Sequence, residues 1–297
     1  MNESTGIQEG LQLPFRELEA DAIRVIGRSL KDKPKARKLW ELLSLDGEAQ
    51  SNWRMANFVA ITKLGMNDHG ETHAKIATAS ALTMLDLLLE AGHSPDIVRS
   101  GFGDIDDATL VITAATLCHD FGNLIHRKAH EDLSVILAMP VLDRLLPKIY
   151  LGNSIRSQIR SFILSAIYSH HGDPPPLTME AGLVCVGDSL DMTKGRGRQA
   201  FASGSITIHT VSALAVDKVV IRRGKKKPIE LRIQLSNSAG IFQVQEILAP
   251  KVRSSPLSEL VEVTAITTPG EQEERIVQGI HMAGSKFLPF QDNDQEG

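Results

Sequence analysis

The sequence predicts an α+β protein, with an all-α helical bundle followed by a small α+β C-terminal domain. Three observations carry that class. Apolar residues recur at three- and four-residue spacing through the first two thirds of the chain, with no convincing alternating run before about residue 200. Beyond it, β-branched segments alternate with polar residues around a strong turn signal. The 297 residues are 42% hydrophobic and 23% charged, an ordinary globular balance. A chain of this length buries roughly three quarters of its unfolded surface and needs no metal or disulfide merely to fold.

Residues 1–66 read as an N-terminal helical extension packing on the bundle. Leu18, Ile23, Val25, Ile26 and Leu30 form one stripe, and Trp40, Leu42 and Leu43 a second. The basic residues from Arg24 to Lys38 are assigned to a solvated helix face. Residues 67–200 form the central helical domain. A long amphipathic helix over 72–89 stops at Ala91-Gly92, and a loop rich in Gly and Asp spans 100–107. A buried helix of small apolar residues follows over 108–119. Helices over 131–138, 141–150 and 155–170 precede the break at Pro174-Pro175-Pro176, and the pattern resumes over 180–192. Gly195-Arg196-Gly197-Arg198 and Ala202-Ser203-Gly204-Ser205 read as a linker.

Residues 201–290 form the small α+β domain. Strands are expected over 206–210, 218–222, 229–235 and 260–267, the second and third joined by a hairpin turn from Arg223 to Pro228. Asn237 is placed to cap a helix over 241–248. Residues 291–297 form an acidic tail. With no complete ligand or nucleophile pattern, the unit reads as an assembly or recognition element packing on the helical domain, another subunit, or both.

A formal net charge of −4 argues against a protein that coats DNA, because phosphate affinity needs accumulated Lys and Arg. The basic stretch 217–232 is assigned to protecting a sheet edge. Cys118 and Cys185 lie in apolar runs, exclude a disulfide framework and are assigned to the core. The first ten residues lack an apolar core, and no run approaches the ~18 apolar residues of a membrane span, so a cytoplasmic protein with no membrane partner is expected.

Histidine placement carries the chemistry. Eight of the ten histidines lie between His69 and His171. His69 and His73 flank the start of the 72–89 helix, and His119-Asp120 ends the buried one. His126 and His130 are four apart, on one face if helical. His170-His171 closes another helix, and Asp188 and Asp191 lie on the next. Burying unpaired imidazoles and carboxylates is costly, so a metal is their natural partner. Together they form a donor set for borderline first-row divalent ions, and helix ends in a bundle can converge on one point. Asp68 and Glu71 are assigned to a helix start, where the dipole favours negative charge. His93, His209 and His281 fit no part of the pattern.

These residues resemble the HD-domain metal-dependent phosphohydrolase superfamily in its dinuclear subset with extra histidines, the catalytic domain of the ribonuclease Y family being the closest likeness. Leu117-Cys118-His119-Asp120-Phe121-Gly122 is similar to that family's Leu-Leu-His-Asp-Ile-Gly. Ala166-Ile167-Tyr168-Ser169-His170-His171-Gly172-Asp173 is similar to its Ala-Ile-Ala-Ser-His-His-Gly-Asp, and Gly187-Asp188 stands where its last ligand Asp does. The likeness covers about residues 67–200.

The resemblance implies two divalent metal ions, of Mn, Fe, Ni, Co, Zn or Mg. His73, His119, Asp120 and Asp188 would hold one and His130, His170 and His171 the other, with Asp120 bridging. It implies hydrolysis of a phosphate ester or nucleotide by water activated between the metals, with Asp120, His119 and Asp188 at the catalytic core. RNA or an oligonucleotide is a further candidate partner, and a homo-oligomer is expected. Two departures stand out. Asn123 replaces the family's Lys after the His-Asp motif, and no Gly-Tyr-Pro follows His170-His171, which argues against cyclic di-GMP as substrate.

His69, His126, Asn123, Asp191, Lys194, Arg196 and Arg198 are candidate supporting or substrate-contacting residues. Asp191 shares a face with Asp188 and could fix a ligand His in one tautomer, while Lys194, Arg196 and Arg198 could clamp phosphate. Two other readings stay open: a diiron oxygenase on the HD scaffold, and a non-catalytic nucleotide-sensing module favoured by Asn123.

Overall fold

The computed structural model describes residues 5–194, 196, 207–267, 280–283 and 286–289. The expected acidic tail, Arg198 and most of the expected linker lie outside the described residues.

The chain starts with α1 (Thr5–Ser29), α2 (Pro34–Leu45) and α3 (Gly47–Asn57). Pro34 opens α2, where its missing N–H is one the helix would leave unpaired anyway. Asp46 ends α2 and caps α3, its carboxylate accepting from the N–H groups of Glu48 and Ala49. α3 runs into a π-helical turn, Phe58–Lys63. Then come α4 (Glu71–Glu90), the short α5 (Asp96–Arg99) and α6 (Ile105–Cys118).

α6 is the central helix, starting three residues earlier than its apolar pattern suggests because Asp104 and Asp107 form a reciprocal capping box. Every residue from Asp107 to Cys118 is buried. The hydroxyls of Thr109, Thr113 and Thr116 donate to the carbonyls of Ile105, Thr109 and Ile112, so the buried helix orphans none of them. α1 lies on α4 and α2 on α6. The basic run of α1 and α2 is not wholly solvated: Lys35 pairs with Asp104 and Asp107, tying α2 to the start of α6.

α7 (His130–Leu145) replaces the two helices expected over 131–138 and 141–150. Pro140 lies inside it without ending it. The carbonyl that its missing N–H would have served belongs to Ile136, and both residues are exposed, so water can take the bond. α8 (Asn153–Tyr168) and α9 (Met179–Ser189) complete the helical part.

The segment expected as a strand over 206–210 is instead the start of α10 (Ile208–Leu214) where it is described. Thr207 and Thr210 form a second reciprocal capping box, and that local bonding outweighs the β-branched composition. β1 (Val216–Arg223) and β2 (Ile229–Leu235) make the expected hairpin. Asn237 caps as expected, accepting from Ala239 N–H at the head of a run that passes through a π-helical turn, Gln243–Leu248, into α11 (Ala249–Ser254). This helical crossover lets β3 (Val261–Thr267) pair parallel to β2, giving the order β1-β2-β3. β4 (Ile280–Ala283) and β5 (Lys286–Pro289) form a separate antiparallel pair.

The protein is thus α+β, a helical bundle with a small sheet unit. The unit packs on the bundle: β1 and β2 lie against α4, and α11 against α9. Ile229, Leu231, Ile233 and Leu235 of the central strand are buried, and one core cluster runs from Ala22 of α1 to Val261 of β3. Each such side chain contributes about 1.5–3 kcal/mol on burial. The basic hairpin is partly neutralised, with Arg222 on Glu230 and Arg223 on Glu90. Cys118 and Cys185 are buried, and burial pushes both thiols up, Cys185 to about 11. Among the described residues no helix is long and apolar enough to cross a membrane.

Candidate metal centre

Close backbone approach brings the histidines and aspartates together. Gly187 of α9 packs on α4 so tightly that a Cβ there would lie 3.0 Å from the Ala77 carbonyl oxygen and from Ala81 Cβ. That contact sets Asp188 beside His73. At the end of α6, a Cβ on Gly122 would overlap the His130 carbonyl, and Gly122 N–H donates to Ser134 Oγ of α7. That second contact holds the His119-Asp120 corner against the first turn of α7. Ala129, just before His130, is a non-glycine residue at φ 58° in the left-handed region.

Two sets of donor atoms result, sharing Asp120. In the first, His73 Nε2 lies 3.2 Å from His119 Nε2, 3.0 Å from Asp188 Oδ1 and 3.4 Å from Asp120 Oδ2. His119 Nε2 lies 3.3 Å from Asp120 Oδ2 and 3.4 Å from Asp188 Oδ1. Ligands about 2.1 Å from one ion stand about 3.0–3.4 Å apart for octahedral or tetrahedral angles, so the spacing fits a single metal. In the second set, His130 Nε2 is 3.1 Å from His170 Nε2 and 3.4 Å from Asp120 Oδ1. His170 Nε2 is 3.9 Å from that oxygen. The carboxylate of Asp120 therefore turns one oxygen to each set.

The outer ring nitrogens are already committed. Nδ1 of His73 meets Asp191 Oδ2 at 2.7 Å, His119 meets the Thr116 carbonyl at 2.7 Å, His170 meets the Ile167 carbonyl at 2.6 Å and His130 meets Glu131 Oε1 at 3.1 Å. The acceptors at His73, His119 and His170 hold the proton on Nδ1, so the Nε2 lone pairs of these rings point inward, the arrangement in which histidines bind metal, whereas Glu131 stands beside His130 as an ion-pair partner only. Facing lone pairs need a cation or a proton between them.

Electrostatics divides the two sets. Burial alone would lower His119, but Asp120 and Asp188 beside it push it up to about 10. His73 is also raised, against burial and Arg196, by Asp188 and Asp191. Burial alone would raise the two carboxylates, yet His119 beside Asp120 and Lys251 beside Asp188 hold both well below the usual range. His130 is held down at about 4 by burial, with Arg127 opposing its charge. His170 is held well below the ordinary value by burial and by His119 and His130.

The other sequence-derived candidates separate clearly. His171 stands at the rim, its side chain 49% exposed and its Nε2 3.5 Å from Arg127. Asp191 lies past the end of α9 at Ser189 and so shares no helix face with Asp188, but its carboxylate accepts from His73 Nδ1. Asn123 is buried and donates to Asp120 Oδ1 at 2.7 Å, so it fixes the shared carboxylate rather than facing a substrate. His69 is buried, lines the cavity above the centre and is kept neutral by burial. Arg196 reaches His73 Nε2 at 3.3 Å and also donates to the Asp68 and Asp191 carbonyls. His126 is a correction: α7 begins only at His130, so the two share no face, and exposed His126 accepts from Lys128 N–H instead. Lys194 turns aside to pair with Asp217.

Above the centre lies a cavity of about 630 Å³. Its floor holds Asp120, His170 and Asp188, one wall comes from residues 64–69, and the other comes from Thr210, Gln243, Glu246, Ile247 and Lys251 of the C-terminal unit. Both π-helical turns border it, one ending beside Leu64 and the other carrying Gln243, Glu246 and Ile247. Sequence reasoning missed Arg127, His209 and Lys251, all of which line the cavity. Lys251 left a readable signal: Leu248, Lys251, Val252 and Ser255 recur at helical spacing and are all buried, which sets a lysine on the apolar face.

The uncharacterized protein MJ1020 of Methanocaldococcus jannaschii is 38% identical over 256 residues, covering 86% of this chain and 94% of that protein. The chain belongs to its family. The shared length takes in the bundle and sheet unit together, and the relative, itself uncharacterized, assigns neither an activity. No family model matches the chain, and no solved structure does.

Proposed function

We propose that this protein is an HD-type dinuclear metal phosphohydrolase or phosphodiesterase acting on a phosphate ester or nucleotide. One observation carries the reading: two inward-facing donor sets share Asp120 at the floor of a cavity flanked by Arg127 and Arg196. Two divalent ions there would supply Lewis-acid activation of water and neutralise phosphoryl charge. The chain's own residues do the rest. Asn123 and the His Nδ1 acceptors hold the donors in place, and the Arg127 and Arg196 guanidinium groups offer the paired N–H geometry that suits phosphoryl oxygens. His69 is neutral and so can donate or accept at the ligand.

The test is a screen of chromogenic phosphate mono- and diesters with protein loaded in Mn²⁺. Phosphate-ester cleavage that stops on chelation supports the reading. Bound iron with oxygen consumption and no cleavage would move the protein to the oxygenase reading, and tight nucleotide binding without product would move it to the sensor.

A further inference from the structure

Lys251 comes from the C-terminal unit yet ends at the centre. It is 7% exposed, and its Nζ donates to Asp188 Oδ2, the oxygen opposite the one that faces His73 and His119. An ammonium has three N–H donors, and among the described residues Asp188 is the one acceptor that Nζ meets. The side chain lines the cavity together with Arg127 and His171.

Charge balance says why a plain ion pair is too small a role. Asp120, Asp188, Asp191 and Glu131 bring four negative charges to the centre, and Arg127, Arg196 and Lys251 bring three positive ones. Two divalent ions would leave about three uncompensated positive charges at the floor of the cavity, a state that favours an anion. At the mouth Glu246 is exposed with no cation paired to it among the described residues, so a ligand's negative charge is directed to the floor.

Building on the dinuclear reading above, we infer that Lys251 is a substrate-contacting residue that binds the phosphate group of the ligand. With Arg127 and Arg196 it closes a clamp of three cations drawn from three separate parts of the chain. The C-terminal unit is therefore half of the substrate site. It supplies the cation that Asn123, turned onto Asp120, does not.

The experiment titrates inorganic phosphate into Mn²⁺-loaded full-length protein by calorimetry, comparing wild type, Lys251→Met and Lys251→Arg with manganese content measured on each. Loss of one charged hydrogen bond should weaken phosphate binding about tenfold to a hundredfold in Lys251→Met, with manganese unchanged and most affinity restored in Lys251→Arg. Unchanged phosphate affinity in Lys251→Met overturns the inference. So does a parallel loss of manganese and phosphate, which would make Lys251 only a support for Asp188. Should Lys251→Met fail to fold, mass-spectrometric acetylation of wild type decides: phosphate must protect Lys251 in the loaded protein, and absence of protection overturns the assignment. Wild type that takes up manganese but no phosphate refutes the clamp alone, whereas wild type that takes up no manganese refutes the dinuclear reading beneath it.

Discussion

Around Asp120 Oδ2, His73 and His119 stand between carboxylates and are raised despite complete burial; around Asp120 Oδ1, His130 and His170 stand beside Arg127 and one another and are lowered. The first half is closed, and the second opens to solvent at His171. One half attracts any cation, proton or metal, while the other offers neutral nitrogen donors against a neighbouring guanidinium. The carboxylate half should hold its ion firmly and the arginine half more weakly.

The largest effect should come from the residue that joins them. Asp120→Asn is expected to cut metal affinity at both halves and any hydrolysis by at least about a hundredfold, beyond what loss of a supporting contact does. Far-UV circular dichroism should stay native, since the core does not depend on metal. Global unfolding would make Asp120 structural instead.

The next test separates the halves. Asp188→Asn should remove the tighter ion and leave Lys251 unpaired, destabilising the protein by about 3–5 kcal/mol if the ammonium stays charged. His130→Ala should release only the weaker ion. Equal metal loss in the two variants would break the comparison.

Acidity gives the third test. His119, raised to about 10, carries a proton at neutral pH in the metal-free protein, and a metal must displace it. Tight-site affinity should therefore climb as pH rises from about 6.5 toward 10, whereas His130, at about 4, leaves the other half flat over that range. In chelator the sign for stability reverses. A histidine raised on folding stabilises fully below its unfolded value near 6.5 and loses that contribution as pH rises through about 10. The metal-free Tm should fall across that window, and a rising Tm would refute the assignment. The smallest effect is local: Ala129→Gly should relieve left-handed strain beside His130 and raise stability by about 0.5–1 kcal/mol, the glycine's extra chain entropy offsetting part of the gain.

What could be read in the sequence was whatever local chemistry encodes. The α+β order, the hairpin and the Asn237 cap follow from spacing along single elements. The missed features depend on partners far along the chain. Arg127 and Lys251 acquire meaning only where α7, α9 and the C-terminal crossover meet. The segment over 206–210 shows the reverse failure, composition suggesting a strand where a capping pair of threonines starts a helix. His126 failed because four-residue spacing means a shared face only inside a helix, and α7 begins too late.

The most direct test of the central claim is elemental analysis of wild-type protein equilibrated with Mn²⁺ and desalted. Two inward-facing donor sets predict close to two ions per chain, with one retained more tightly on graded chelation. No bound metal, with calorimetry also silent, would contradict the account.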